Sequence, residues 1–204
     1  MDHLFPASSS VPAEERQKLF GHQPLVIWMT GLSGAGKTTL ALLLEQQFHS
    51  RGIKTALLDG DKLRKGLNKD LDFSAEGRAE NVRRTAEVCR ILKDAGLVTI
   101  ASLISPYKKD RDLARSVVGP GFIEVFVDCS IEECERRDVK GLYAKAKGGE
   151  VKNFTGVSSD YEKPERPDLI IKTDQVSIQQ SLQQLLGFLL PLIGFTDSSD
   201  RNPS

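Results

Sequence analysis

Cysteine is scarce in this chain: 204 residues hold three, Cys89, Cys129 and Cys134, with no C-x-x-C pair among them. An odd, unpaired set excludes a disulfide scaffold, argues against a zinc site and suits a reducing compartment such as the cytoplasm. Cys89 falls at helical spacing with Val82, Ala86 and Leu92, so it reads as a small core residue. Net charge is absent as well, since 28 Lys and Arg balance 28 Asp and Glu. No global positive field exists to hold a nucleic acid or an anionic membrane. Long apolar runs are also missing: the leucine-rich stretch from Leu182 to Phe195 is broken by Gln183, Gln184, Gly187 and Pro191. It falls short of the ~20 apolar residues of a spanning helix and is expected to pack on the core as a terminal helix. The stretch Met1 to Ser10 lacks the basic and apolar regions of an export or transit signal.

What is present suits one domain. With 39% hydrophobic residues, a chain of this size can bury roughly 70% of its unfolded surface. Residues 1–12 and 196–204, rich in Ser, Pro, Asp and Asn, are expected to be mobile tails around a domain at 13–195. Apolar runs and helical periods alternate: strand 25–29, helix 37–50, strand 54–58, helix 76–95, strand 97–103 and helix 108–117. Strand 122–127, a short helix at 131–137, strand 169–171 and a last helix follow, and no internal repeat interrupts the series. Five strands alternating with helices predict an α/β fold, a parallel sheet with helices on both faces. Ligands in such sheets sit beyond the carboxyl ends of the strands.

The first strand end carries Gly31-Leu32-Ser33-Gly34-Ala35-Gly36-Lys37-Thr38, a match to the phosphate-binding loop pattern G-x-x-x-x-G-K-[ST], with Thr39 following. The glycines let backbone N–H groups wrap a polyphosphate, Lys37 can reach its β/γ oxygens and Thr38 offers a hydroxyl to Mg²⁺. Leu25 to Met29 is an apolar run fit for a buried strand, and Leu40, Leu43, Leu44 and Phe48 form one helical stripe after the loop. The helix N-terminus adds partial positive charge. A nucleoside triphosphate is therefore the expected ligand.

At the second strand end stand Asp59 and Asp61, two residues apart and on one side if the chain stays extended. Such carboxylates can hold a metal-bound water or deprotonate an attacking hydroxyl, or one can cap the next helix. We expect Asp61 to be catalytic and Asp59 its support. Arg64 and Phe73 follow, and then Arg78 and Asn81, three apart on one helical face. Arginine forks bind phosphate and sulfate oxygens, which suggests a small anionic second substrate, although a solvated helix face would carry the same residues. The third strand end runs through Ile104 into Ser105-Pro106, where Ser105 can bind substrate or cap the helix that Pro106 starts. Residues 136–155 hold six cations and glycines at 141, 148 and 149, the pattern of a mobile lid over transferring phosphates. A guanine-binding N-K-x-D is only superficially present, because Leu71 stands where the acid should be.

Taken together, these residues resemble the adenylylsulfate kinase (APS kinase) family from about residue 14 to residue 190. The quoted motifs are Gly21-His22, GLSGAGKTT at 31–39, LDGD at 58–61, Arg64 with Gly66-Leu67-Asn68, Asp72-Phe73-Ser74, ENVRR at 80–84 and ISPY at 104–107. Arg111-Asp112, FIEVFVD at 122–128, Lys140-Gly-Leu-Tyr143 and Asn153-Phe-Thr-Gly156 complete the series. Lys62, Lys65 and Thr38 are small departures that remove no catalytic group. The resemblance implies a nucleotide-kinase-like P-loop fold, usually homodimeric, that moves the γ-phosphate of MgATP to the ribose 3′-hydroxyl of adenosine 5′-phosphosulfate. It places Phe73 and Phe154 around that substrate's adenine, with Asp61, Arg64, Arg78, Asn81, Ile104, Ser105 and Lys140 nearby. It sets the ATP adenine near Arg137 and Thr173, and Mg²⁺ on Thr38 and Asp61. Relatives with a phosphoserine at the position of Ser105 make that residue substrate-binding first and covalent second. Rival readings are another small-molecule kinase on this fold, which would lack the Phe73, Arg78, Asn81 and Phe154 set, and a phosphate-loop protein with a nucleic-acid partner, which the zero net charge disfavours.

Overall fold

A computed structural model describes residues 9–138, 140–151 and 153–194. Most of the expected N-terminal tail, all of the C-terminal one, and Val139 and Lys152 of the lid lie outside the described residues. Five strands, β1 (Val26–Thr30), β2 (Thr55–Asp59), β3 (Val98–Ser102), β4 (Phe122–Asp128) and β5 (Leu169–Lys172), make one parallel sheet in the order β2-β3-β1-β4-β5. Val26 of β1 lies opposite Thr99 of β3 and Phe122 of β4, which sets the central register. Every residue of β1 and β3 is buried, as parallel strands covered on both faces require.

The pleat sorts the core into two layers, because successive side chains of β1 point to opposite faces. Ile27 and Met29 pack with Leu40, Leu44 and Phe48 of α2 (Lys37–Ser50) and Leu185, Leu189 and Ile193 of α8 (Ile178–Ile193). Val26 and Trp28 pack on the other side with Val82, Ala86 and Cys89 of α4 (Ala75–Asp94) and Ala114 and Val118 of α5 (Lys108–Val118). Each such side chain, fully buried, contributes about 1.5–3 kcal/mol. All three cysteines are buried and free. No helix among the described residues is long and apolar enough to cross a membrane.

Three helices were not legible in the sequence. The first, α1 (Ala13–Phe20), buries none of its residues, so it carries no apolar stripe. The second, α3 (Gly60–Lys65), starts directly after β2, which corrects the expectation of an extended chain through Asp61. The third, α7 (Leu142–Lys147), lies inside the expected lid and follows α6 (Ile131–Arg137). Helix α8 begins earlier than its leucines suggest because Ser177 and Gln180 form a capping box ahead of them.

His22 ties α1 to the sheet. Its ring stacks on Phe20, and its Nε2 accepts a hydrogen bond from Lys54 N–H at 3.0 Å. That bond needs a neutral imidazole, and burial, with the charge of Lys54 adding to it, lowers the pKa from 6.5. The unfolded chain then protonates first as pH falls. Stability from this group should be complete above 6.5 and be lost as pH drops through the lower folded value. In thermal melts between pH 7.5 and 5, roughly spanning that window, the Tm of the natural protein should fall relative to His22→Gln, whose amide oxygen is a pH-independent acceptor. Parallel curves for the two proteins would contradict this.

Candidate active site

The carboxyl end of β1 runs into the glycine-rich loop at 31–36, and α2 begins at Lys37. Gly34 has φ +79°, and a Cβ there would stand 3.0 Å from the Cys134 carbonyl oxygen, so only glycine fits. Lys37 folds back over the loop: its Nζ donates to the carbonyls of Gly31 at 2.8 Å and Leu32 at 2.7 Å. Burial lowers its pKa to about 8. A buried cation with only carbonyl partners favours an arriving anion. Leu32, Ser33 and Ala35 complete the loop, while Thr38 and Thr39 are exposed in the first turn of α2.

The two carboxylates of the second strand end have separate tasks. Asp59 caps α3, its Oδ1 accepting from the N–H groups of Asp61 at 3.1 Å and Lys62 at 3.2 Å. Its Oδ2 accepts from the Thr38 hydroxyl at 2.9 Å. Asp61, released from capping, projects from the first turn of α3 and pairs with Lys140. The carboxylate hydrogen-bonded to Thr38 is thus Asp59, while Asp61 and Asp59 both act on the charge of Lys37.

Arg64 and Arg78 converge on Phe73. The guanidinium carbons lie 4.3 and 6.0 Å from the ring centroid, and the ring itself is 56% exposed. Arg64 donates to the carbonyls of Leu71 and Asp72, and Arg78 to those of Phe73 and Asn153 and to Thr155 Oγ1 at 2.6 Å. Burial lowers both pKa values, and for Arg64 the charge of Arg78 adds to it. Arg78 is 6% exposed, which rules out the solvated helix face as its explanation. Neither arginine forms an ion pair among the described residues. Two desolvated cations beside an open aromatic ring suit an anionic, ring-bearing ligand. Asn81 is buried one turn after Arg78, its Oδ1 accepting from Asn68 Nδ2 at 2.9 Å. Phe154, whose carrier segment Arg78 holds, is buried edge-on against Tyr143 at 4.9 Å between centroids.

The third strand end turns its hydroxyl inward. Ser105 has φ +38° and is buried, and its Oγ accepts from the Trp28 indole N–H at 3.1 Å. Its carbonyl accepts from Arg111 Nη1 at 2.8 Å, and that of Ile104 from the Thr30 hydroxyl at 2.7 Å. The Trp28 indole thus takes one acceptor position of the Ser105 hydroxyl, whose O–H donates to no group among the described residues. Nor does Ser105 cap α5, whose N-cap is Tyr107. Arg111 was missed as a supporting residue; it pairs with Glu124 at 2.9 Å, both being buried. An acid inside the apolar run of β4 was the signal.

Arg137 and Thr173 do meet: Nη2 donates to the Thr173 carbonyl at 2.7 Å, and the Thr173 hydroxyl donates to Ala35 O at 2.8 Å. One residue of the expected lid touches the phosphate loop. In α7, Tyr143 is buried and donates to Ser33 O at 2.9 Å, while Arg136 and Lys147 are held by Glu133 and Glu135. Those two cations therefore do not close on phosphates in this arrangement. A cavity of about 470 Å³ opens beside Leu32 along residues 156–161 and Lys163. None of Lys37, Asp61 or Arg78 lines it.

Comparison with known proteins gives a consistent result. The adenylylsulphate kinase family profile matches residues 23–172. The adenylyl-sulfate kinase of Clostridium kluyveri is 50% identical over 179 residues, spanning 88% of this chain and 90% of that protein. That of Bacteroides thetaiotaomicron is 46% identical over 194 residues, 94% and 96% of the two chains. A solved Mycobacterium tuberculosis APS kinase in complex with AMPPNP and APS is 46% identical and superposes with a TM-score of 0.79 over 82% of this chain and 98% of that one.

Proposed function

The chain belongs to the adenylylsulphate kinase family, and on that premise we propose how its own side chains move the γ-phosphate of ATP to the 3′-hydroxyl of adenosine 5′-phosphosulfate. The products are 3′-phosphoadenylylsulfate and ADP. One observation carries the assignment of roles: the phosphate loop after β1, and Asp61 with Lys140 and the Arg64–Phe73–Arg78 cluster after β2, follow the carboxyl ends of strands in one parallel sheet, within the region that matches the family.

Backbone N–H groups of residues 31–36 cradle the polyphosphate, with Lys37 leaving its two carbonyls for the β/γ oxygens. Arg137 and Thr173 flank the ATP base. Phe73 stacks on the acceptor's adenine, and Arg64 and Arg78 bind its phosphosulfate oxygens; a stack contributes about 1–3 kcal/mol, judged from nucleic-acid binders. Phe154, Asn81 and the main chain of Ile104 and Ser105 complete that pocket. Asp61 takes the proton of the 3′-hydroxyl as its oxygen attacks the γ-phosphorus in line and the bond to the β-phosphate oxygen breaks. Lys140, paired with Asp61 in the ligand-free protein, turns to the transferring phosphoryl group as the lid at 136–155 closes. Mg²⁺ fits here, because the Thr38 hydroxyl and the Asp59 carboxylate offer hard oxygens 2.9 Å apart while phosphates and water supply the rest. When bound, the ion neutralises phosphate charge.

Residues 13–195 form the kinase domain on this reading. A homodimer rests on the family resemblance, and a cytoplasmic setting on the free cysteines. A coupled assay of ADP release tests the function: adenosine 5′-phosphosulfate should stimulate turnover with MgATP, whereas stimulation by AMP or shikimate instead would overturn the assignment.

A further inference from the structure

Asn68 is fully buried, yet its amide is only half satisfied. Nδ2 donates to Asn81 Oδ1 at 2.9 Å, while Oδ1 has no partner and is sealed from solvent. An orphaned buried carbonyl lowers stability, and an apolar side chain would avoid that penalty. Stability is therefore not what this asparagine supplies. Its main chain is equally engaged: its N–H donates to Leu63 O at 2.9 Å, and its carbonyl accepts from Leu71 N–H at 3.1 Å. It thus fastens the end of α3, which carries Asp61 and Arg64, to α4, which carries Arg78 and Asn81.

The consequence falls on Asn81. A carboxamide has a donor end and an acceptor end of nearly the same shape, and packing alone does not decide which faces a ligand. The bond from Asn68 holds Asn81 Oδ1 inward. Asn81 Nδ2 has no partner among the described residues and, unlike Asn68 Oδ1, is not sealed from solvent. We infer that Asn68 is a positioning residue that fixes the Asn81 amide with its NH₂ toward the acceptor-substrate pocket, so that Asn81 reads a hydrogen-bond acceptor on the adenylyl substrate. This rests on the function proposed above.

The test is a kinetic double-mutant cycle with the full chain. Asn68→Asp and Asn68→Ala are each made in the natural and the Asn81→Ala backgrounds, with Tm measured throughout. Asn68→Asp replaces the donor by an acceptor that pulls the Asn81 amide round, so KM for adenosine 5′-phosphosulfate should rise about tenfold or more while KM for ATP stays within about twofold. Asn68→Ala, which only frees the amide, should give a smaller rise and decides the matter if the buried carboxylate prevents folding. Both effects should disappear in the Asn81→Ala background. Equal rises in both backgrounds, or both KM values moving together with Tm, would overturn the inference. A natural protein that shows no dependence on adenosine 5′-phosphosulfate would instead refute the proposed reaction, so the two failures are distinct.

Discussion

Asp61→Asn is expected to leave ATP binding in place and to lower turnover at least about a hundredfold, the lower range for loss of a positioned general base. The change is nearly isosteric, and the side-chain hydrogen bonds of Lys37 and Thr38 do not use Asp61. Asp59, not Asp61, caps α3 and meets Thr38, so the helix and the loop keep their supports. What is lost is the acceptor for the hydroxyl proton and the counter-ion of Lys140. Equilibrium binding of an ATP analogue, measured beside single-turnover rates, separates the two. A variant that lost ATP affinity in proportion to its rate would return Asp61 to a structural or metal-holding role.

Arg78→Ala should act on the other substrate. The guanidinium has no carboxylate partner among the described residues and holds two points of the segment that carries Phe154, through Asn153 O and Thr155 Oγ1. Charge-assisted hydrogen bonds contribute about 1.5–3 kcal/mol each, so removing one or two to the substrate should raise KM for adenosine 5′-phosphosulfate about a hundredfold. Arg78→Lys should recover little, because an ammonium cannot bridge ligand, hydroxyl and carbonyl in the fork's geometry. Initial-rate kinetics with each substrate varied in turn will check this. Equal, mild changes for Asp61→Asn and Arg78→Ala would leave both role assignments without support.

The parts of this site that the sequence displays are those written in local spacing. An apolar run followed by G-x-x-x-x-G-K-T and a helical stripe places Lys37 and Thr38 without any distant contact, and β1, the loop and α2 stand where that pattern puts them. Asp59 and Asp61 were visible as a pair, but their division of labour depends on a six-residue helix with no apolar repeat. Arg78 was ambiguous because burial is decided by partners some 75 residues away. The Ser105 hydroxyl is visible in the sequence, but its partner, the chain's one tryptophan on β1, lies 77 residues away. Phe73 and Phe154 share a composition cue, but one ring is open and the other is covered by Tyr143. In each case the missing information was tertiary: which distant side chain takes up a donor or acceptor, and which face of a short helix is covered.

On the proposed reading, the phosphate loop and the residues around Asp61 form one site for two nucleotides, with transfer to a sugar hydroxyl. Phosphorus NMR of the product made from ATP and adenosine 5′-phosphosulfate tests this most directly. One new phosphomonoester, coupled to the ribose 3′ proton, should appear in step with ADP. Release of inorganic phosphate without a new ester, or an ester at another position, would contradict it.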